Sequence, residues 1–597
     1  MKKIISLILI ILLTLTFTGC SAKNDETADN TAAYTAGTYT GSATGHGGNF
    51  SVEVTLSENA IEDIKVIENN ETSGFGDVAA EAIISQILAN QSLKVDAVAG
   101  ATLSALAVNG AIADALTSAG IDVAALKKVE VKEAETADET LDVDVAVVGS
   151  GAAGLMAAYE AASAGRKVVI LEKLSRNGGA TRTSSGMLVA GGTALQEAAG
   201  IEDSTEALKE YWLERGEGNV DEEMVNFVAD NINDCLDLFI EMGVNYIPEL
   251  ILQSGTATVN RAHMPSGAGA MLCDALVEQV NKLGVEILLN TEAKELIIDE
   301  NGTVTGVKAE TKTGTLTVNA KAVILATGGF GSNTEMIAEY SPEAEGAWSC
   351  SAPQNTGDGI TMALAAGADT VFKGGFIGWK VCTPLYDHTT AVGAPVYGVP
   401  QLIVDENGNR MGNETLDYPF VYEDWYNAGA TEFYYIFSAG SGETKDLVNN
   451  VSDTVANLEL GVEAGVCYKA DTLEELAEIS GLENLVQTVD AYNSAVENGT
   501  DEQYGRDTST MTKYESGPYY ALHGQRAILG TFGGINTNVT GEVVNTEGNV
   551  IPGLYAAGEV ANGEFFNKLY PASGSSISQC VTLGREAGKS AAAYAAE

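Results

Sequence analysis

The sequence predicts an α/β fold, with a large α/β unit from residue 141 to the end, joined by a linker to a small α+β unit over residues 34–123. Three observations point there. Asp144-Val145-Ala146-Val147-Val148 is a short apolar run, the pattern of a buried strand, and a glycine turn and a helix follow it at once. Val168-Val169-Ile170-Leu171-Glu172 repeats the apolar run after that helix, which completes a strand–helix–strand unit. Ahead of both, residues 127–140 are rich in Lys, Glu, Thr, Asp and Ala, and the linker is set at residues 124–140. A chain of 597 residues has room for about two to four domains.

Composition excludes several function classes. Hydrophobic residues at 45% and charged residues at 19% describe a globular chain. A formal net charge of -50 argues against nucleic-acid binding, which needs basic patches, and against surface docking on anionic lipid. The seven cysteines form no CxxC or CxxCH, and the four histidines lack metal-ligand spacing. Zinc knuckles, c-type haem and other metal sites are therefore not expected.

Residues 1–19 read as a targeting segment. Lys2 and Lys3 are the positive start, and residues 4–17 are an apolar stretch too short to span a bilayer comfortably. Phe17-Thr18-Gly19-Cys20 resembles a bacterial lipobox, which implies a lipid on Cys20 as the mature N-terminus. The alternative is a cleaved secretory signal with an incidental cysteine. Residues 20–33 are polar and read as a tether.

In the small unit, Gly37-Thr38-Tyr39-Thr40-Gly41 opens a strand pattern. Phe50-Ser51-Val52-Glu53-Val54-Thr55-Leu56 alternates as a half-buried strand does. A further strand is expected at residues 61–67, with helices at 78–88 and from 102 to about 116. Asp96-Ala97-Val98-Ala99-Gly100-Ala101-Thr102 resembles the flavinylation motif of FMN-binding domains, D-x-x-[S/T]-G-A-T, with Ala99 where Ser or Thr is usual. The resemblance implies FMN esterified through its phosphate to Thr102 by a transferase, with Asp96 part of the recognised motif. The chemistry is consistent: Gly100 lets backbone approach a phosphate, and the helix after Thr102 offers its N-terminus. The alternative is a glycine turn with Thr102 as helix N-cap.

The large unit carries a dinucleotide fingerprint. Gly149-Ser150-Gly151-Ala152-Ala153-Gly154 follows a strand and opens a helix, and Glu172 ends the next strand about twenty residues on, where an acid holds ribose hydroxyls. Asn177-Gly178-Gly179-Ala180, Ser184-Ser185-Gly186, Ala326-Thr327-Gly328-Gly329-Phe330, Thr356-Gly357-Asp358-Gly359 and Pro552-Gly553-Leu554-Tyr555-Ala556-Ala557-Gly558-Glu559 resemble, in order, the flavin-wrapping segments of fumarate reductases. Residues 142–597, about three quarters of the chain, are similar to the flavoprotein of the fumarate and urocanate reductase family and of the related ketosteroid dehydrogenases.

That resemblance implies a Rossmann-type FAD domain at 141–378 and 527–597, an inserted α+β capping domain at 379–526, and a small N-terminal α+β FMN-binding domain. It implies non-covalent FAD held by Gly149, Gly151, Ala153, Gly154, Glu172, Lys173, Gly179, Ala180, Ser185, Gly186, Gly328, Gly329, Asp358, Glu559, Ser576 and Ile577. Substrate would bind between cap and flavin, with closure excluding water.

The chain departs from fumarate reductases where they hold two carboxylates. Asn409-Arg410-Met411-Gly412-Asn413-Glu414 matches their Arg-Phe-x-Asn-Glu motif, but Tyr418 stands where their Arg acid lies. Gly530 replaces a His before Gly533-Gly534, Lys568 is nearest their second Arg, and Gly393-Ala394 falls where Thr-Glu is expected. Poorly paired buried carboxylates cost several kcal/mol, so fumarate is not the expected substrate. The replacements resemble ketosteroid dehydrogenases instead. Asn413-Glu414-Thr415-Leu416-Asp417-Tyr418 keeps the spacing of their Asn-Glu-x-x-Pro-Tyr, and Tyr570-Pro571-Ala572-Ser573-Gly574 matches their Tyr-Pro-x-x-Gly. The resemblance implies that Tyr570 and the Gly574 amide bind a carbonyl oxygen while Tyr418, with a phenol pKa of about 10, moves a proton. Among 22 tyrosines, packing aromatics are the alternative reading of both.

The expected function is an exported, lipid-anchored reductase that passes electrons from a membrane donor through FMN and FAD to the C=C bond of an α,β-unsaturated carbonyl compound. A second dinucleotide fingerprint is absent from the sequence, so no bound NAD(P)H is expected. The alternatives are an enoate reductase of the urocanate, cinnamate or fumarate type, with charge from Arg410, Lys568 or Lys380; a ketone dehydrogenase running in reverse; and an electron-carrier lipoprotein without small-molecule chemistry.

Overall fold

A computed structural model of the chain describes residues 34–45, 48–70, 76–95, 102–129, 138–255, 259–349, 351–381, 402–416, 418–438, 454–463 and 465–597. Cys20, residues 96–101 with Asp96, and Gly393-Ala394 lie outside the described residues.

The small unit is a three-stranded antiparallel sheet of Gly37–Thr44, Asn49–Leu56 and Ile61–Asn69. The alternation in the middle strand buries Phe50, Val52, Val54 and Leu56 in one core with Ile83 and Ile87 of helix Gly76–Asn90 and Val108 and Ile112 of helix Thr102–Ser118. Gly41 is required there. A Cβ on it would lie 2.2 Å from the Ala115 nitrogen and 2.3 Å from the Ala111 oxygen, so the helix rests directly on strand backbone. Thr102 is the first residue of that helix.

The large unit is built on an eight-stranded sheet in the order Glu292–Ile298, Val304–Thr311, Gly314–Leu325, Glu139–Val148, Val168–Leu171, Glu286–Leu288. Gly314–Leu325 pairs with Val304–Thr311 through its first half and, in parallel, with Val550–Ala556 through its last residues. Glu542–Val544 lies against Val550–Ala556. Register decides where a ligand can bind. Val148 faces Leu171 on one side and Leu325 on the other, and Leu325 faces Ala556. Four parallel strands therefore end at one edge, the place where open α/β sheets take ligands.

Helix Ser575–Tyr594 packs on helix Ala152–Ser163. A Cβ at Gly584 would lie 2.5 Å from the Ala153 oxygen, and one at Gly588 would lie 2.3 Å from the Ala157 oxygen. The two helices touch backbone to backbone at these points.

A second, six-stranded sheet contains Trp348–Ser349, Phe376–Val381, Leu402–Asp405, Glu432–Ser438, Cys467–Ala470 and the long strand Tyr519–Thr531. Two of these strands run through the sequence limits 378/379 and 526/527 set for the insertion, because hydrogen-bonded ladders continue past both points. Beside this sheet lies a buried charge network. Arg410 makes a two-pronged pair with Glu414 (2.8 and 2.9 Å) and a third bond to Asp501 (2.9 Å), and Arg506 bonds Glu414 (3.0 Å). No described helix is long and apolar enough to cross a membrane.

Filling the helix–helix contact should be costly. Gly588→Val is expected to lower stability by about 1–3 kcal/mol, the usual range for overpacking, measured by denaturant unfolding of the holoprotein. An unchanged midpoint would mean that the two helices are not in backbone contact.

Candidate active site

At the edge where the four parallel strands end, a cleft opens that is lined by Gly149, Gly151, Ala153, Glu172, Lys173, Gly179, Ala180, Gly328, Asp358 and Glu559. All ten were expected from the sequence. The glycines of the fingerprint have different tasks. Gly149 has φ +103°, and a Cβ on it would lie 2.3 Å from the Ala326 oxygen, so two strand ends meet there. Gly154 lets the helix close on the strand, since a Cβ would lie 2.0 Å from the Gly149 oxygen. Gly151 has nothing within 4 Å of its Cβ position. That open space lies at the start of helix Ala152–Ser163, whose N-cap residue Gly151 has no side chain to cap it, and it suits a pyrophosphate.

The acid at the second strand is fixed in place. Ser150 donates to Glu172 Oε2 from its amide (3.0 Å) and its hydroxyl (2.5 Å), and the Leu174 amide donates to Oε1 (2.9 Å). A carboxylate offers about four acceptor sites, so one remains for a ribose hydroxyl. Lys173 bonds Asp358 (2.6 Å) and Thr356 (2.9 Å), which ties the second strand end to the Thr356-Gly357-Asp358-Gly359 signature. Burial raises the Glu559 carboxyl pKa, against hydrogen bonds from Thr531 and the Gly329 amide that lower it. Two polar atoms on the cleft wall, Thr327 Oγ1 and Gln354 Nε2, are buried without a hydrogen-bond partner. Such atoms need a partner, and a bound FAD fits this donor set.

Ser150, Thr327, Gln354 and Asn355 line the cleft and were missed from the sequence. Ser150 sits between the fingerprint glycines, and Gln354-Asn355 abuts the Thr356-Gly357-Asp358-Gly359 signature; that adjacency was the available signal. Six expected FAD residues stand outside the cleft lining, Gly154 at the helix–strand contact among them. Gly329 is wedged between Thr531 and Glu559, Gly186 lies against Gly269, and Ser185 is exposed. Ser576 and Ile577 are in the first turn of helix Ser575–Tyr594.

A second cavity, of about 810 Å³, lies between Phe376, Tyr422 and Tyr426 on one side and segments 217–221 and 564–570 on the other. Its size is that of a small-molecule site. Tyr570 is on its wall, and Cys580 on the following helix is on the wall of the cleft, so the Tyr570–Gly574 turn lies between the two along the chain. The structure brings Tyr570 and Gly574 together, arranged differently from the expectation. The amides of Gly574 (3.2 Å) and Ser576 (2.9 Å) both donate to the Tyr570 phenol oxygen. Amides at a helix start converge on the nearest acceptor, and here that acceptor is the tyrosine. The Gly574 amide thus acts through Tyr570, whose O–H becomes a stronger donor by hydrogen-bond cooperativity.

Tyr418 is the first residue of helix Tyr418–Asn427, which supplies Tyr422 and Tyr426 to the cavity; the side chain of Tyr418 itself lies outside what is described. Of the three cations expected for a carboxylate, the two whose side chains are described are paired. Arg410 is buried in its network with Glu414 and Asp501 and does not line the cavity, which corrects its candidacy. Lys568 reaches the cavity but pairs with Glu343 (3.1 Å), and Lys373 bonds the Gly563 oxygen (2.5 Å) and lies 3.7 Å from Glu564. The Lys380 side chain is outside the described set. Among the described lining residues, five carboxylates (Glu217, Asp221, Glu343, Glu423, Glu564) face these two lysines. No group of three or more His, Cys, Asp or Glu that could hold a metal occurs among the described residues.

Comparison with known proteins agrees with both flavin units. The FAD binding domain family matches residues 144–577, and the FMN-binding domain family matches residues 45–117. The chain is 32% identical over 595 residues to a urocanate reductase of Eggerthella lenta, covering 98% of this chain and 97% of that one. It is similar to the open conformation of a flavocytochrome c3 fumarate reductase, with a TM-score of 0.63 and 30% identity, over 76% of this chain and 79% of that one. It is also similar to the 3-ketosteroid-Δ4-(5α)-dehydrogenase of Rhodococcus jostii RHA1, with a TM-score of 0.60 and 28% identity, over 76% and 97% of the two chains.

The open space at Gly151 gives a clean test of the cleft. Gly151→Ala adds a Cβ with nothing within 4 Å of it and should fold, while FAD occupancy falls at least about tenfold from lost approach to the phosphates. Flavin content of the purified protein reads this out, and full occupancy would move the pyrophosphate elsewhere.

Proposed function

The chain belongs to the family of flavin-dependent reductases that includes urocanate and fumarate reductases, FAD-binding oxidoreductases that act on C=C bonds, and on that basis we propose that it reduces the C=C bond of an uncharged α,β-unsaturated carbonyl compound. The observation that carries the choice of substrate is Tyr570 in the wall of a cavity whose two lysines both lie against carboxylates. A dicarboxylate entering there meets five carboxylates and no uncommitted cation among the described residues, an arrangement that repels it. A neutral carbonyl needs only a hydrogen-bond donor.

When bound, reduced FAD supplies a hydride to one carbon of the double bond, and FMN supplies electrons to FAD. The protein does the rest. Tyr570 donates a hydrogen bond from its hydroxyl to the carbonyl oxygen, where negative charge develops as the enolate, and keeps its proton, while the Gly574 and Ser576 amides steady the phenol. Tyr418, at the start of the cavity helix, delivers the proton to the α-carbon. One hydride and one proton added across C=C give the saturated product.

FMN is carried covalently on Thr102, placed there by a transferase that reads Asp96 and the residues after it. Cys20 carries the lipid that holds the exported protein at the outer face of the membrane, close to its electron donor. The N-terminal motifs support these assignments.

A second reading keeps the chemistry and makes the substrate an enoate. The likeness to a urocanate reductase along nearly the whole chain favours it.

Tyr570→Phe keeps the ring and removes the donor. Turnover should fall by about 10²–10³, the usual loss for one oxyanion donor, with FAD retained; unchanged turnover would remove Tyr570 from the reaction. Thr102→Ala should leave protein that carries FAD alone, which mass spectrometry of the intact chain detects. Retained covalent FMN would place the attachment on another residue.

A further inference from the structure

The turn that carries Tyr570 is held from outside by two side chains that no sequence motif singled out. Tyr211 donates its hydroxyl to the Pro571 oxygen at 2.5 Å, and Ser254 donates to the Ser573 oxygen at 2.9 Å. These two carbonyls flank the middle of the Tyr570–Gly574 turn. Pro571 has no amide hydrogen, so the turn has one donor fewer with which to hold itself.

The first contact is tightly built. Gly255 has φ +74°, and a Cβ on it would lie 2.1 Å from the Tyr211 oxygen and 2.6 Å from the Pro571 oxygen. Only glycine at 255 lets hydroxyl and carbonyl meet. Tyr211 is itself fixed, on helix Thr205–Gly216 with its ring 5.7 Å from the Arg261 guanidinium. Arg261 is clamped by both oxygens of Asp203 (2.7 and 2.8 Å), and the two side chains are 6% and 1% exposed. Asp203 takes a further bond from Gln196 (2.9 Å). A buried ion pair is weak evidence for stability in itself; here its geometry orients the face of Tyr211.

We propose that Tyr211 and Ser254 are positioning residues for Tyr570: by holding the Pro571 and Ser573 carbonyls they set where the Tyr570 hydroxyl stands at the cavity wall. This rests on the reductase reading above. Neither residue lines the cavity or the cleft, so both act through the turn. A misplacement of about 1 Å at a catalytic group costs on the order of a hundredfold in rate. Loss of one of two holds should cost about tenfold.

The test is a double-mutant cycle on the FAD- and FMN-loaded protein, with reduced methyl viologen as donor and 4-phenylbut-3-en-2-one as acceptor. Tyr211→Phe keeps the ring over Arg261 and removes only the hydroxyl. It should lower kcat about tenfold with KM, flavin content and thermal midpoint unchanged. Titration of the oxidised protein with the same enone, followed by flavin absorbance, should give an unchanged Kd. In a Tyr570→Phe background, Tyr211→Phe should change kcat no further, because the group being positioned is gone. Ser254→Ala should behave in the same way. An equal loss in both backgrounds, or no loss in the wild-type background, overturns the positioning role. If Tyr570→Phe is itself without effect while Tyr211→Phe lowers kcat, the failure lies with the assigned role of Tyr570, and the positioning proposal falls with it.

Discussion

The site depends on how closely the last helix of the chain lies against the first helix of the large unit. Gly584 and Gly588 let helix Ser575–Tyr594 touch the backbone of helix Ala152–Ser163. The contact joins residues more than four hundred positions apart, and everything that must meet at the flavin follows from it. It brings Gly558 beside Ala153, where a Cβ would lie 2.8 Å from the alanine methyl, and it sets Gly574 against Met187, where a Cβ would lie 3.0 Å from the backbone oxygen. The phosphate-binding turn, the acid-bearing turn at Glu559 and the Tyr570 turn thus share one rigid support. A larger residue at either glycine displaces all three together.

The proposed choice of a neutral substrate rests on charge. The chain has 82 acidic and 32 basic residues, and the cations near the cavity are held by carboxylates. Arg410 and Arg506 lie buried among Glu414 and Asp501, Arg215 pairs with Glu423, and Lys568 pairs with Glu343. Opening any of these to bind a substrate carboxylate leaves the displaced acid unpaired in a partly closed space. The cavity instead offers a tyrosine hydroxyl and aromatic walls, which match a carbonyl with an apolar frame. The same chain resembles urocanate and fumarate reductases and a ketosteroid dehydrogenase.

What the sequence made legible was local. The Gly149–Gly154 fingerprint, the alternation of residues 50–56 and the acid at 172 each rest on neighbours along the chain, and the structure places them as read. The ends of distant strands were legible only through family resemblance, which gathered Gly328, Asp358 and Glu559 into one cleft. Contacts that depend on three-dimensional register were not legible. Nothing in the local pattern around Tyr211 or Ser254 shows that their hydroxyls reach a turn more than three hundred residues away. Nor does the motif at Arg410 reveal that its guanidinium is bound by Asp501 and unavailable to a ligand. The Gly574 amide was assigned to a substrate oxygen, while the start of the helix turns it toward Tyr570. Hydrogen-bond direction at a helix end is a property of the assembled turn.

The most direct test of the account is an anaerobic competition between neutral and anionic acceptors, with the loaded protein, reduced methyl viologen and a panel of neutral enones beside fumarate and urocanate. A cavity in which both lysines lie against carboxylates predicts faster viologen reoxidation with the neutral enones than with either carboxylate. Faster turnover of fumarate or urocanate would contradict it and would mean that Lys568 or Lys373 leaves its carboxylate to meet the substrate.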